Sequence, residues 1–157
     1  MHVREATAAD TAAIRRVAER AWRADYPAAL DRDTIDAGVN HWYGDPVVKM
    51  ELQSPQTRFL VAERDDAVVG FVHAHVGPDP TILRLHVLPE VRDESVPETL
   101  YEAIIEAVED PDRLQATVLA ANDAMQRFYR DRGFERVGTE RTTIDETQYP
   151  EAVLERR

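Results

Sequence analysis

The stretch "NDAMQRFYRDRGFERVG", residues 122–138, decides how this chain folds. Asn122 is suited to cap a helix, because its side-chain oxygen can accept from an amide of the first turn. Met125, Phe128 and Tyr129 then fall three and four residues apart on one helical face. Gly133 is placed to end that helix in a left-handed conformation, and Phe134 turns the chain into a strand packed against it. Read alone, the segment is a helix–turn–strand unit whose Tyr129 faces a core.

The pattern extends in both directions. "RLQATVLA" reads as a strand, and "ESVPETLYEAIIEAVED" as a helix with Leu100, Ile104, Ala107 and Val108 inward. "TILRLHVL" is an apolar strand, and "TRFLVAERDDAVVGFVHAHVG" is two β-rich runs joined by a hairpin at Asp65-Asp66. Near the start, "HVREAT" is a short strand, followed by a helix with Asp10 as its cap. Ile14, Val17, Ala18, Ala21 and Trp22 form that helix's apolar stripe, and Pro27 marks a break near its end. A second helical region runs from about Asp31 into "MELQS", interrupted around Gly44-Asp45-Pro46. "FERVGTERTTI" and "EAVLERR" complete a β-rich tail. Strand, two helices, three strands, helix, strand, helix and two strands describe an α/β chain with a mixed sheet.

Composition narrows the function. The chain of 157 residues is treated as one domain, 1–157, large enough for its own core. It has no cysteine, which excludes disulfides, thiolate metal sites and a thiol nucleophile. No signal-peptide pattern or membrane-spanning apolar run is present, so the expected location is the cytoplasm. Thirty acids against nineteen bases give a formal charge of −11, which argues against nucleic-acid or anionic-membrane binding. Lys49 is the single lysine among those bases, and an acidic, arginine-retaining composition of this kind resembles halophilic proteins.

An asparagine, an aromatic–tyrosine pair and Gly-Phe in this order resemble the C-terminal signature of the Gcn5-related N-acetyltransferase family, and the element order along the whole chain agrees. The resemblance implies a mixed, mostly antiparallel sheet of six or seven strands flanked by about four helices. It also implies transfer of an acetyl group from acetyl-coenzyme A to a primary amine, on a small molecule or a peptide N-terminus. By position, Tyr129 would lie near the cofactor sulfur and protonate the departing thiolate, and Asn122 would contact the pantetheine arm. A phenol and a thiol have comparable proton affinities, so the transfer is feasible. Main-chain groups around His86, Val87 and Leu88 would hold that arm and polarise the thioester carbonyl.

The diphosphate cradle is where the chain departs from the family pattern. The family's [Q/R]-x-x-G-x-[G/A] becomes Arg92-Asp93-Glu94-Ser95-Val96-Pro97, and only Arg92 matches. Arg92, Ser95 and Val96 remain the positions that would carry the phosphates. Ser95 followed by Glu98 instead spells a capping box, in which the donors a phosphate needs are partly satisfied internally. A carboxylate 6 Å from one phosphate charge costs roughly 3 kcal/mol at an effective dielectric of 20. Asp93 and Glu94 therefore oppose cofactor binding, and the rival reading is a non-catalytic binding or scaffolding domain that kept the fold.

Three histidines remain. His86 could act as a base toward the acceptor amine, with Glu63 acting through water as another option. His73 and His75 alternate onto one strand face, but no third ligand is in view, so no metal is assigned. Tyr26, Trp42 and Tyr43 would border the acceptor pocket, with His41 beside them, because consecutive rings cannot all face one core. An acid-rich pocket would suit a cationic amine. The partners expected are that amine alone, with a monomer or homodimer and neither nucleic acid nor membrane.

Overall fold

The computed structural model describes residues 1–26 and 30–157, so the break expected at Pro27 lies outside the described residues. Strand β1 (His2–Glu5) leads into α1 (Thr11–Asp25), α2 (Arg32–Tyr43) and α3 (Asp45–Gln53). The central strands are β2 (Thr57–Arg64), β3 (Ala67–His75) and β4 (Thr81–Val87), followed by α4 (Val96–Ala107). Strand β5 (Leu114–Leu119), α5 (Asp123–Arg130), β6 (Glu135–Ile144) and β7 (Thr147–Arg156) complete the chain. The second helical region is thus two helices meeting at Gly44, whose extended backbone both ends α2 and starts α3.

The seven strands form one sheet in the order β1-β2-β3-β4-β5-β7-β6. Every neighbouring pair is antiparallel except β4 with β5. The hairpin expected at Asp65-Asp66 is present, both residues having positive φ, 52° and 63°. That handedness matches the twist of the flanking strands.

Side chains alternate across the sheet and sort the helices to its two faces. Tyr43 of α2 meets Phe71 of β3 edge-on at 5.2 Å, while a Cβ on the adjacent Gly70 would come within 3.0 Å of Leu100 in α4. The first three helices cover one face and α4 the other. Among the described residues no helix is long and apolar enough to cross a membrane.

One local expectation is corrected. Asp10 does not cap α1 with its side chain. Its carboxylate instead accepts from the Thr7 amide at 2.8 Å and from the Arg4 guanidinium, closing a short 3-10 turn at Ala8–Asp10. A nearby arginine and a free amide upstream compete successfully for the same oxygen atoms.

Candidate active site

The site begins where β4 and β5 stop pairing. Their parallel ladder holds only Thr81 with Gln115 and Ile82 with Ala116. At the next level the Thr117 hydroxyl reaches the Leu83 carbonyl at 3.3 Å, and beyond it the strands diverge. On the β3 side, Leu88 donates its N–H to the Val69 carbonyl at 2.8 Å. Main-chain groups alternate in direction along a strand, so those of Val87 and Leu85 face away from β3, into the opening. Leu88 has neither group spare, since its carbonyl also accepts from Val91.

Three cavities run through the opening. A narrow groove is lined by Val87, Arg92, Pro97, Asn122 and Phe128. It shares Leu85, His86, Asn122 and Met125 with a constriction that also touches Tyr26 and Tyr129. That constriction shares Arg84 and Thr117 with an outer pocket of about 480 Å³ on the face of α2 and α3. The three cavities therefore follow one another across the sheet between the splayed strands, the middle one holding only about 10 Å³.

Tyr129 sits at the narrowest part with 1% of its surface exposed. Burial raises its phenol above the ordinary value, with the Arg84 charge acting in the opposite direction. The ring therefore carries its proton at neutral pH, the state required of a donor. Asn122 caps α5 as expected, accepting from the Met125 amide at 3.0 Å, and its amide nitrogen donates to the Tyr26 hydroxyl at 3.1 Å. Tyr26 is packed into the constriction rather than displayed in the outer pocket, and burial pushes its phenol up to about 12. Trp42 and Tyr43 do line the outer pocket. Tyr43 is itself buried, and its hydroxyl has no hydrogen-bond partner among the described residues.

His86 is unsuited to the role of base. Its Nε2 accepts from the buried Trp22 indole at 3.3 Å, which occupies the lone pair a base would use. Burial, reinforced by the charges of Arg84 and Arg92, pushes its imidazole down to about 3. Glu63 is likewise engaged, held by Arg4 at the far edge of the sheet.

The cradle loop is reshaped relative to the sequence expectation. Ser95 precedes α4 with φ 63° and ψ 12°, and its side chain makes no cap hydrogen bond. The capping box therefore does not form. A left-handed backbone at Ser95 turns its hydroxyl away from the helix amides, and the Glu98 carboxylate runs toward Arg132 instead, 3.6 Å away. The first amides of α4 consequently keep the free, outward-pointing state usual at a helix start, apart from Pro97, which has none. The conformation is the one a glycine adopts without cost. Glu94 is paired with Arg64, which offsets its charge, while Asp93 lies in solvent. Arg92 bonds Asp25 at 2.7 Å on the rim of the groove.

Several site residues were not anticipated. Arg84 crosses the opening at the base of the splay, donating to Glu151 at 2.9 Å and to Thr117 at 3.1 Å, with its guanidinium 4.8 Å from the Trp42 ring centre. A lone charge inside the apolar run "TILRLHV" was the available signal, since a buried charge needs a partner. Glu51 of α3 stands against His73 and His75 and supplies the third side chain missing from the sequence reading. Burial pushes His73 down to about 4, partly offset by the Glu51 charge. With Asp79 and Glu140 also in its wall, the outer pocket holds four carboxylates against the one guanidinium of Arg84.

Comparison with known proteins identifies the family and the fold. The family "Acetyltransferase (GNAT) family" matches residues 11–134. A protein of Bacillus subtilis (strain 168), provisionally named ribosomal protein bS18-alanine N-acetyltransferase, is 29% identical over 97 residues. The match spans 60% of this chain and 64% of that relative, less than two thirds of its length. Among solved structures, the PaiA N-acetyltransferase of Thermoplasma acidophilum, in complex with coenzyme A, superposes with a TM-score of 0.84 at 19% identity. The superposition covers 99% of this chain and 98% of that one. The ribosomal-protein-S18-alanine N-acetyltransferase of Escherichia coli follows with a TM-score of 0.73 at 15% identity, over 99% and 92% of the two chains. At these identities the superpositions show the shared fold.

Proposed function

This chain belongs to the GNAT acetyltransferase family, whose cosubstrate is acetyl-coenzyme A, and we propose that it transfers the acetyl group to the primary amine of a small cationic molecule or a peptide N-terminus. The observation that carries this reading is the passage between β4 and β5, with Tyr129 at its waist and an acidic pocket at its outer end.

The pantetheine arm fits along β4, where the main-chain groups of Val87 and Leu85 lack a sheet partner. The diphosphate fits at the start of α4, over the amides of Ser95 and Val96 and beside Arg92. The acceptor enters from the outer pocket, drawn by its excess carboxylates and bordered by Trp42 and by the unpartnered hydroxyl of Tyr43. The neutral amine attacks the thioester carbon, so a C–N bond forms as the C–S bond breaks. A main-chain donor on β4 stabilises the oxyanion. Tyr129 gives its proton to the departing sulfur and regains one through water, which takes up the proton lost by the amine.

The name of the Bacillus subtilis relative favours a peptide N-terminus, while the volume of the pocket also accepts a small amine. A non-catalytic domain drew its support from the loop without glycine, and that support weakens because Ser95 already holds the glycine-like conformation. Calorimetric titration with acetyl-coenzyme A, followed by thiol release in the presence of candidate amines, tests the proposal. Micromolar binding with amine-dependent thiol release is expected. Absence of binding in both dilute and molar potassium chloride overturns it.

A further inference from the structure

We propose that Glu51, His73 and His75 form a binding site for a divalent cation of the zinc class in the wall of the outer pocket. His73 and His75 stand two residues apart on β3, so both rings rise from the same face of the sheet. Glu51 comes down on them from α3. One ligand atom from each of the three lies within 4.8 Å of the others.

The separations distinguish coordination from hydrogen bonding. Glu51 Oε2 is 3.6 Å from His73 Nε2 and 3.7 Å from His75 Nε2, too far for a good hydrogen bond to either ring. Donors bound tetrahedrally to zinc at about 2.1 Å are roughly 3.4 Å apart. Two edges of the site are already near that length, and the ring of His75, 49% exposed, is free to turn and close the third.

A second observation points to a ligand. His73 Nε2 is buried without a hydrogen-bond partner among the described residues, in a residue only 8% exposed. A bound cation would satisfy that lone pair. The surroundings also hold the donors in place. The Phe59 ring stacks on His73 at 4.6 Å and 18°, and the Thr57 hydroxyl donates to Glu51 Oε2 at 3.0 Å. A support of this kind orients ligands at metal sites. Arg84, whose charge acts on His73, is offset by Glu151.

Two imidazoles and a carboxylate suit zinc and its neighbours, whereas calcium and magnesium prefer oxygen alone. Three protein ligands leave one position free for water or for a donor atom of a molecule in the pocket. The inference does not depend on acetyl transfer, since metal binding is read without turnover.

The test uses the full chain stripped with chelator. Titration with zinc chloride by calorimetry, and with cobalt(II) by visible absorption, should show one ion per chain at a Kd of about 10 µM or below. His75→Ala and Glu51→Gln, both at solvent-accessible positions, should each weaken zinc binding by at least about ten-fold. His41→Ala, at an exposed histidine outside the cluster, should leave it unchanged. Circular dichroism verifies that the variants fold. No stoichiometric binding at ~100 µM zinc, or a loss below ten-fold in either cluster variant, overturns the site.

Discussion

Ser95 lets the geometry of the cradle be tested apart from catalysis. Its φ of 63° and ψ of 12° lie in the left-handed region, and its hydroxyl caps nothing. An L-residue pays about 1–2 kcal/mol for that conformation. Glycine avoids the strain but loses about 0.5–1 kcal/mol through the greater freedom of its unfolded chain. Ser95→Gly should therefore stabilise the protein by about 0.5–1 kcal/mol, raising Tm by roughly 1–4 °C for a chain of this size. Ser95→Ala keeps the strain and removes no hydrogen bond, so it should stay within about 0.5 kcal/mol of the parent. A capping box would give the opposite pattern, with Ser95→Ala losing about 1 kcal/mol. Chemical denaturation and scanning calorimetry on the three proteins separate the two outcomes. Titration with coenzyme A should show Ser95→Gly binding at least as tightly as the parent, since the loop shape is unchanged. If both variants are destabilised, Ser95 is a working cap and the picture of a preserved cradle is refuted.

Tyr129→Phe keeps the packing and removes the hydroxyl proposed as proton donor, so kcat should fall by about 10²-fold or more while coenzyme A affinity changes little. Unchanged turnover in steady-state assays would deny the phenol its role. His86 is held neutral at a value pushed down to about 3, so the unfolded chain binds a proton near pH 6.5 that the folded chain refuses. Stability should be complete above pH 6.5 and decline as the pH falls toward 3, by up to about 1.4 kcal/mol per unit. His73, pushed down to about 4, acts in the same direction. Urea denaturation between pH 7 and 5 should show the decline, and a slope unaffected by His86→Gln would contradict it. At Gly70 an added methyl would meet a Val87 methyl at 2.8 Å and the His86 carbonyl at 3.1 Å. Gly70→Ala should therefore cost about 1–3 kcal/mol by thermal denaturation, a drop of several degrees in Tm.

Much of the fold was legible because periodicity is local. The stripe from Ile14 to Trp22 is buried as read, and Asn122 caps α5 through the bond its position implied. Most of the misreadings trace to partners that the local pattern does not assign, whereas Ser95 departs through its own left-handed backbone. Asp10 has the type and position of a cap, yet Arg4 and Thr7 claim its carboxylate. His86 had the chemistry of a base, yet the indole that fills its lone pair lies on α1, 64 residues away. Arg84 and Glu151 form an ion pair across 67 residues, and Glu51 reaches the histidines because α3 packs over β2, beside β3. In each instance the residue type was visible and the partner was not.

The loop at Ser95 fits a habit of the whole chain. Seven non-glycine residues have positive φ among the described residues, and apart from Ser95 all are acids: Asp65, Asp66, Glu109, Asp110, Asp145 and Glu146. This chain repeatedly places L-residues where glycine is the low-strain choice, and with six glycines in total it has few to spend on turns. Lack of glycine is therefore weak evidence for lack of the glycine conformation here. A pattern search at positions 92–97 reports side chains, whereas a diphosphate would meet main-chain amides, and their direction follows from φ and ψ. The strain at Ser95 persists because β4 and α4 fix both ends of the loop. What distinguishes this cradle from a glycine-rich one is then its charge and the missing amide of Pro97, more than its shape.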